Sequence, residues 1–448
     1  MPPGILYSVG VFRRKARQPR KPRTFRVPVE SYVLLLGVAF ALSAAISLLN
    51  QPREVSYVPP HRFSVQDPAF LPSALALSNP VPLEGNRVEL LENGDRIFPA
   101  MLEAIGAARR TINLESYIVW SGAVATRFRD ALGAAARRGV AVRVLVDGVG
   151  TGRKLSGDDV RAMRDAGCFV EFYHRVRPWM LDMLNNRTHR RLLVVDGRVG
   201  FTGGAGIADV WLGNADARDH WRDTQVRVEG PVVAEMQSAF QETWGEERGE
   251  TLSGDDFYPA VERPGKVRAQ IVTSSRRATS SPSKLLYAVA ISAATRRILL
   301  ANSYFVPDRD AVRLFSDAAR RGVDVRILVP GKINDVPMTK AAGKTGFGDL
   351  LRAGIRMYEY QGTMMHTKAM VVDGLFATVG STNFDNRSFR LNEELNLVTY
   401  DAEFARKLED GFWRDLERSR PYTYADWSGR PLRERFFEWA VQPFRSEL

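Results

Sequence analysis

The chain is poor in the residues that build ligand cages. Its 448 residues include a single cysteine, Cys168, and five histidines. One thiol excludes a disulfide framework and any cysteine-based zinc site. No set of carboxylates and histidines has metal-ligand spacing, so the chemistry is expected to need neither metal nor cofactor. Basic charge is also scarcer than the net +12 suggests. Residues 1–30 hold Arg13, Arg14, Lys15, Arg17, Arg20, Lys21, Arg23 and Arg26 against one acid, Glu30, which leaves +5 for everything after them. A body so mildly basic argues against nucleic acid as a partner. With 45% hydrophobic and 25% charged residues, the composition also excludes disorder.

Long apolar runs are rare too, and the one that follows the basic tail stands out. Residues 31–49, SYVLLLGVAFALSAAISLL, are nineteen without a charge. As a helix they span a bilayer core of about 30 Å. A buried core helix and a cleaved signal peptide are the alternatives. Core helices rarely run so long without a polar face, and the basic region is long for a signal peptide. The run is therefore read as an uncleaved transmembrane anchor. The positive-inside bias puts the tail in the cytoplasm, against anionic headgroups, and the rest of the chain across the membrane.

Residues 50–85 are proline-rich with little periodicity and read as a linker. From Arg87 helical and strand-like segments alternate. FPAMLEAIGAARR (98–110) leads into TINLESYIV (111–119), and ATRFRDALGAAARRGV leads into VAVRVLVDG (140–148). That pattern predicts an α/β domain with buried strands. It then recurs. Ser116-Tyr117-Ile118 matches Ser303-Tyr304-Phe305, and Arg137-Arg138-Gly139-Val140 with VRVLV matches Arg320-Arg321-Gly322-Val323 with VRILV. HRRLLVVDG (189–197) matches HTKAMVVDG (366–374). Three matches in one order predict two duplicated α/β domains, 86–255 and 256–420, joined through a Gly/Pro/Ser-richer stretch at 250–283. Residues 421–448 read as a C-terminal amphipathic helix (433–444) that closes the fold, with contact to lipid as the alternative.

Two of the five histidines occupy equivalent places in the repeat, each opening a strand-like run. In a strand, residues two apart share a face, so His189 lies beside Arg191 and His366 beside Lys368. Asp196 and Asp373 end the runs before a glycine turn. The pattern H-x-K-x-x-x-x-D, present twice, resembles the phospholipase D superfamily. The second copy fits in full, with His366, Lys368, Asp373 and then Gly380, Ser381 and Asn383. The first departs twice: Arg191 stands for lysine, and Gly206 stands where the asparagine falls. WRDTQVRVEGP (221–231), SYFVPD (303–308) and LNEELNLV (391–398) are similar to bacterial cardiolipin synthases in particular. The likeness runs from about Gly85 to the C terminus.

The resemblance implies a two-lobed fold with pseudo-two-fold symmetry and a phosphohistidine reaction. One imidazole attacks phosphorus while the other donates a proton to the leaving alcohol. The superfamily's usual order favours His189 as nucleophile and His366 as acid. It nominates Asp223 to orient His189 and Glu394 to orient His366. It also places Asp196 and Asp373 in the motif, although their distance along the strand suggests structural ion pairs. Arg191, Lys368, Ser381 and Asn383 would hold the non-bridging oxygens. Gly206 is read as making room for the longer Arg191. The implied reaction joins two phosphatidylglycerols into cardiolipin and glycerol, at a bacterial inner membrane and with no obligate protein partner. A phospholipase D that releases phosphatidic acid and a lipid-binding pseudoenzyme are the alternatives.

Other candidates are weaker. His174 and His220 read as local structural or surface histidines, and His61 lies in the linker. AAGKTG (341–346) contains Gly-Lys-Thr, but a phosphate loop needs glycine at position 338, which is Met338. The segment RPWMLDMLNN (177–186) reads either as core or as an apolar lip that admits acyl chains. Met364 and Met365 raise the same question beside His366.

Overall fold

The computed structural model describes residues 58–73, 81–175, 185–275 and 281–447. The basic tail, the 31–49 run and residues 177–184 of the lip lie outside the described residues. Among the described residues, no helix is long and apolar enough to cross a membrane.

The first half contains β1 (Leu83–Glu92), α1 (Gly94–Ala107), β2 (Thr111–Ser116), α2 (Ala123–Arg137), β3 (Ala141–Asp147), α3 (Gly157–Asp165), β4 (Phe169–Tyr173), β5 (Arg191–Val195), β6 (Val199–Gly203), β7 (Thr224–Glu229) and α4 (Val233–Arg248). The second repeats it with β8 (Val267–Ser274), α5 (Pro282–Ala293), β9 (Arg297–Asn302), α6 (Arg309–Arg320), β10 (Asp324–Pro330), α7 (Pro337–Arg352), β11 (Arg356–Tyr360), β12 (Lys368–Val372), β13 (Phe376–Gly380), α8 (Asn386–Arg390), β14 (Glu394–Tyr400) and α9 (Ala402–Glu417). The chain then adds β15 (Ser419–Tyr422), α10 (Tyr424–Ser428) and α11 (Leu432–Val441).

Local physics explains the elements. Every residue of β2, β5 and β12 is buried: β5 and β12 follow one cation with four apolar residues, whereas β2 alternates apolar Ile112 and Leu114 with polar residues, of which Asn113 donates to Gln237 and Glu115 accepts from Thr188 and Thr243. In α6, Ala311, Leu314, Phe315 and Ala318 are buried at helical spacing, and the Asp308 carboxylate caps the first turn by accepting from the Ala311 N–H. The rejected phosphate-loop segment 341–346 lies inside α7.

The strands form one sheet in the order β15-β11-β10-β9-β12-β13-β14-β8-β1-β7-β6-β5-β2-β3-β4. In each half three strands run parallel and the histidine-linked strand joins them antiparallel. The halves meet where β1 pairs with β8. They also share a core, in which Val194, Val226, Val228, Met236 and Phe240 pack with Ile271, Val371, Val379, Leu395 and Leu397. Each such side chain removed from water contributes about 1.5–3 kcal/mol.

Three boundaries differ from the sequence reading. Residues 58–73 are not free linker. Val65 and Phe70 are buried in the second half's core, Phe70 meets Phe376 and Tyr400 edge-on, and His61 Nδ1 lies 2.7 Å from the Ser292 carbonyl. Prolines blocked helical periodicity, yet the two hydrophobes between them had a groove to fill. β8 lies inside the presumed joint, because its apolar alternation completes the sheet. The C-terminal stretch is not one helix: β15 first extends the sheet antiparallel to β11, and two helices follow.

Candidate active site

His189 and His366 sit two residues before the first residues of β5 and β12, where the backbone leaves the ladder of its own half. It pairs with the other half instead. Thr188 bridges Glu393, and Met365 bridges Arg222. The His189 N–H donates to the Glu393 carbonyl (2.9 Å), and the His366 N–H donates to the Arg222 carbonyl (2.7 Å). Each histidine thus lies beside the next residue of the opposite half, which is Glu394 for His189 and Asp223 for His366.

This exchange corrects the expected pairing. His189 Nδ1 is 2.8 and 3.0 Å from the two Glu394 oxygens, and His366 Nδ1 is 2.8 Å from Asp223 Oδ2. The resemblance nominates the reverse. Within each half, however, β6 or β13 separates the carboxylate-bearing strand from the histidine strand.

The cations fall where strand alternation put them. Lys368 Nζ lies 2.9 Å from His366 Nε2 and 3.0 Å from Nδ1, and donates to the His366 carbonyl at 2.6 Å. Arg191 repeats this with two nitrogens: one donates to the His189 carbonyl and the other lies 3.1 Å from His189 Nε2. In both halves Nδ1 is committed to a carboxylate, so Nε2 is the free lone pair, and it rests under a cation. Such an arrangement fits attack by Nε2 on an anion that takes the cation's hydrogen bonds.

The other expected phosphate ligands divide. The Ser381 hydroxyl donates to the Glu394 carboxylate and accepts from the Leu395 N–H, so it supports the carboxylate. The oxygen of the Asn383 side chain accepts from the Ser303 hydroxyl at 3.0 Å. Gly206 does not make room for Arg191. A Cβ there would meet Ile118 and the Trp211 ring, so the missing side chain admits Trp211, whose Nε1 donates to Asp223 at 2.8 Å. Gly204, at the place of Ser381, would set a Cβ 2.2 Å from Asp223 Oδ1. In the first half a glycine and a short carboxylate therefore replace the serine and glutamate of the second.

Asp196 and Asp373 are remote from the pocket, seven residues along the strand or roughly 20 Å. Neither forms the expected ion pair. Asp196 accepts the N–H groups of Arg109, Arg110 and Thr111 at 2.7–2.9 Å. Asp373 accepts those of Thr295, Arg296 and Arg297 at 2.8–2.9 Å, together with the Thr295 hydroxyl. Both turn through a left-handed φ of 53°, and the carboxylate caps the start of the neighbouring strand. His174 stacks on Tyr173 and His220 pairs with Asp216, away from the chemistry.

Sequence reasoning missed the aromatic walls. Tyr117 meets the His189 ring at 4.9 Å, and Tyr304 meets His366 at 6.0 Å. Their rings also receive the cations, with Arg191 at 5.7 Å and Lys368 at 5.8 Å. The repeated Ser-Tyr dipeptides were the signal. Trp211, 5.4 Å from His366, had none.

Burial sets the protonation. It pushes His366 down to about 4, with Lys368 adding to the effect, and takes His189 well below the usual imidazole range, helped by Arg191. Burial likewise brings Lys368 down to about 7. The carboxylates diverge. Burial raises Glu394 to about 7, whereas for Asp223 the charges of His366 and Lys368 outweigh burial and hold it below its usual range. His366 thus faces a carboxylate held toward its ionised form, and His189 one that burial pushes toward its protonated form.

Two α/β halves that close around a pair of imidazoles, each flanked by a cation, define a phospholipase D-type fold and site. A family described as "Cardiolipin synthase, PLD-like domain" matches both halves, at residues 101–244 and 287–416. The chain is 35% identical over 363 residues to a cardiolipin synthase of Geobacillus thermodenitrificans, covering 80% of this chain and 72% of that one. It is 37% identical over 353 residues to the major cardiolipin synthase of Bacillus subtilis, covering 78% and 73%. Among solved structures, the phosphatidylserine synthase of Haemophilus influenzae superposes with a TM-score of 0.62 over 85% of this chain and 100% of that one, at 14% identity, a likeness of fold. The chain belongs to the cardiolipin synthase family of phospholipase D-like proteins.

Proposed function

We propose that this chain is a membrane-anchored phosphatidyltransferase that converts two phosphatidylglycerols into cardiolipin and glycerol. The observation that carries the reading is the exchange across the halves, which gives two buried imidazoles, each already beside a cation of its own half, unlike carboxylates. His189, beside Glu394, whose carboxyl burial pushes up, is the nucleophile. Its Nε2 attacks phosphorus of the first phosphatidylglycerol, with the non-bridging oxygens held by Arg191, Lys368 and Asn383. The bond to glycerol breaks as His366, supported by anionic Asp223, passes the Nε2 proton to the leaving oxygen. The anionic substrate offsets Arg191 and Lys368, and so lets His366 carry that proton. The terminal hydroxyl of a second phosphatidylglycerol then gives its proton to His366 Nε2 and attacks phosphorus. The P–N bond breaks, its electron pair returns to His189 Nε2, and cardiolipin leaves. Ser381 and Trp211 position the two carboxylates.

In this reading residues 31–49 span the bacterial inner membrane once, residues 1–30 stay in the cytoplasm, and the two domains (86–255 and 256–420) work on the outer side. Relatives named cardiolipin synthase support the substrate class. Purified full-length protein in phosphatidylglycerol vesicles with a chelator is expected to release glycerol and form a four-chain lipid. Phosphatidic acid as sole product would reject transfer in favour of hydrolysis. A reporter fused after position 448 is expected outside the cytoplasm, and a cytoplasmic signal would reverse the topology.

A further inference from the structure

The C-terminal helix α11 carries its apolar side outward. Glu434 and Glu438 face the body. Glu434 pairs with Lys344 of α7, and Glu438 takes the Arg430 guanidinium in two bonds of 2.8 and 2.9 Å. Leu432, Phe436 and Trp439 are 79%, 67% and 69% exposed, and Phe437 is exposed beside them. The Phe436 and Trp439 rings lie 5.7 Å apart. A helix that closed a fold by burying its apolar stripe would show the opposite polarity. Clustered aromatics left in water mark a surface that meets another phase or partner.

Charge and position select the partner. Arg433 and Arg435, on the same helix, are also exposed. Aromatic and leucine side chains combined with arginines form an interfacial helix surface suited to anionic headgroups. Beyond the exposed face, Val441 packs with Val306 and Ala342, and Arg445 donates to the Pro307 carbonyl. Val306 and Pro307 lie two and three residues after Tyr304, a wall of the pocket. The start of α7 continues the fringe. Val336 and Met338 are exposed there, and neighbouring Asp335 accepts the Tyr304 hydroxyl at 2.6 Å.

We propose that the outward face of α11 (Leu432, Phe436, Phe437 and Trp439, with Arg433 and Arg435) docks on an anionic phospholipid surface and aligns the pocket with the headgroups. This rests on the phosphatidyltransferase reading. The 31–49 run would tether the chain, whereas α11 would set the orientation of the folded part.

The test uses full-length Phe436→Cys carrying a bimane label; Cys168 is buried. The protein is reconstituted in vesicles containing phosphatidylglycerol, and the probe is challenged with a brominated lipid and with aqueous iodide. Strong quenching by the brominated lipid and little by iodide is expected. Ready quenching by iodide overturns the proposal. So does shielding from both quenchers, because a second copy or the chain's own 31–49 run would then cover the face. A second measurement uses Phe436→Ser/Trp439→Ser. The apparent KM for vesicular phosphatidylglycerol is expected to rise at least tenfold, with turnover of monomeric dibutyryl-phosphatidylglycerol unchanged. An unchanged vesicle KM also overturns it. Failure of the parent protein on both substrates would count against the reaction, whereas the quenching pattern reports docking alone.

Discussion

His366 of the second half hydrogen-bonds at 2.8 Å to Asp223 of the first. With the reciprocal contact from His189 to Glu394, this makes the pocket the joint property of both halves. Asp223→Asn keeps the shape but loses the anion that favours a protonated His366. The expected result is a fall in kcat of about 10²–10⁴-fold, as when an orienting carboxylate is lost elsewhere. Glu394→Gln, replacing a group raised to about 7, is expected to cost less. Steady-state kinetics on both variants checks the order, and a larger loss in Glu394→Gln would reverse the nucleophile assignment.

Arg191 does with two nitrogens what Lys368 does with one. Arg191→Lys is therefore expected to retain activity within about tenfold, while Arg191→Met, which removes the charge, falls by at least about 10²-fold. Inactive Arg191→Lys with normal folding would show that the forked geometry matters, and not the charge alone.

Lys368, lowered to about 7 by burial, must be charged to receive a phosphodiester. Because its folded value lies below the ordinary one, the proton leaves as pH rises. The kcat/KM profile, which already falls with loss of the His366 proton, is expected to gain a further alkaline limb above about pH 7, approaching an additional tenfold per pH unit. In Lys368→Arg, whose guanidinium stays charged, that alkaline limb should move up by more than one unit. An identical limb in both proteins would assign it to another group.

Asp373 accepts three backbone N–H groups and one hydroxyl far from the imidazoles. Asp373→Ala should lose several hydrogen bonds worth about 1 kcal/mol each, and strain the left-handed turn. Thermal unfolding should show a clearly lower Tm, while the kcat of the folded fraction stays near the parent value. Loss of kcat with an unchanged Tm would return this residue to the catalytic set.

Much of this site could be read from residue order. The duplication, the buried strands and the pairing of each histidine with a cation follow from period-two alternation and repeated segments. What could not be read depends on long-range packing. The carboxylate serving each histidine is fixed by two bridges, 188 to 393 and 222 to 365, between segments more than a hundred residues apart. The purpose of Gly206 depended on where Trp211 folds, and no local spacing reveals that. Asp196 and Asp373 have acidic side chains with ordinary strand-end placement, so only their backbone partners show that they hold turns. The 58–73 segment looked like linker because its prolines hid two residues that fill a distant groove.

The pairing of β1 with β8, over a core drawn from both halves, has a mechanical consequence. Neither half has a private boundary at which to come apart, so heating is expected to dismantle them together in one cooperative step. Damage buried deep in either half then disarms both imidazoles at once, however far it lies from phosphorus.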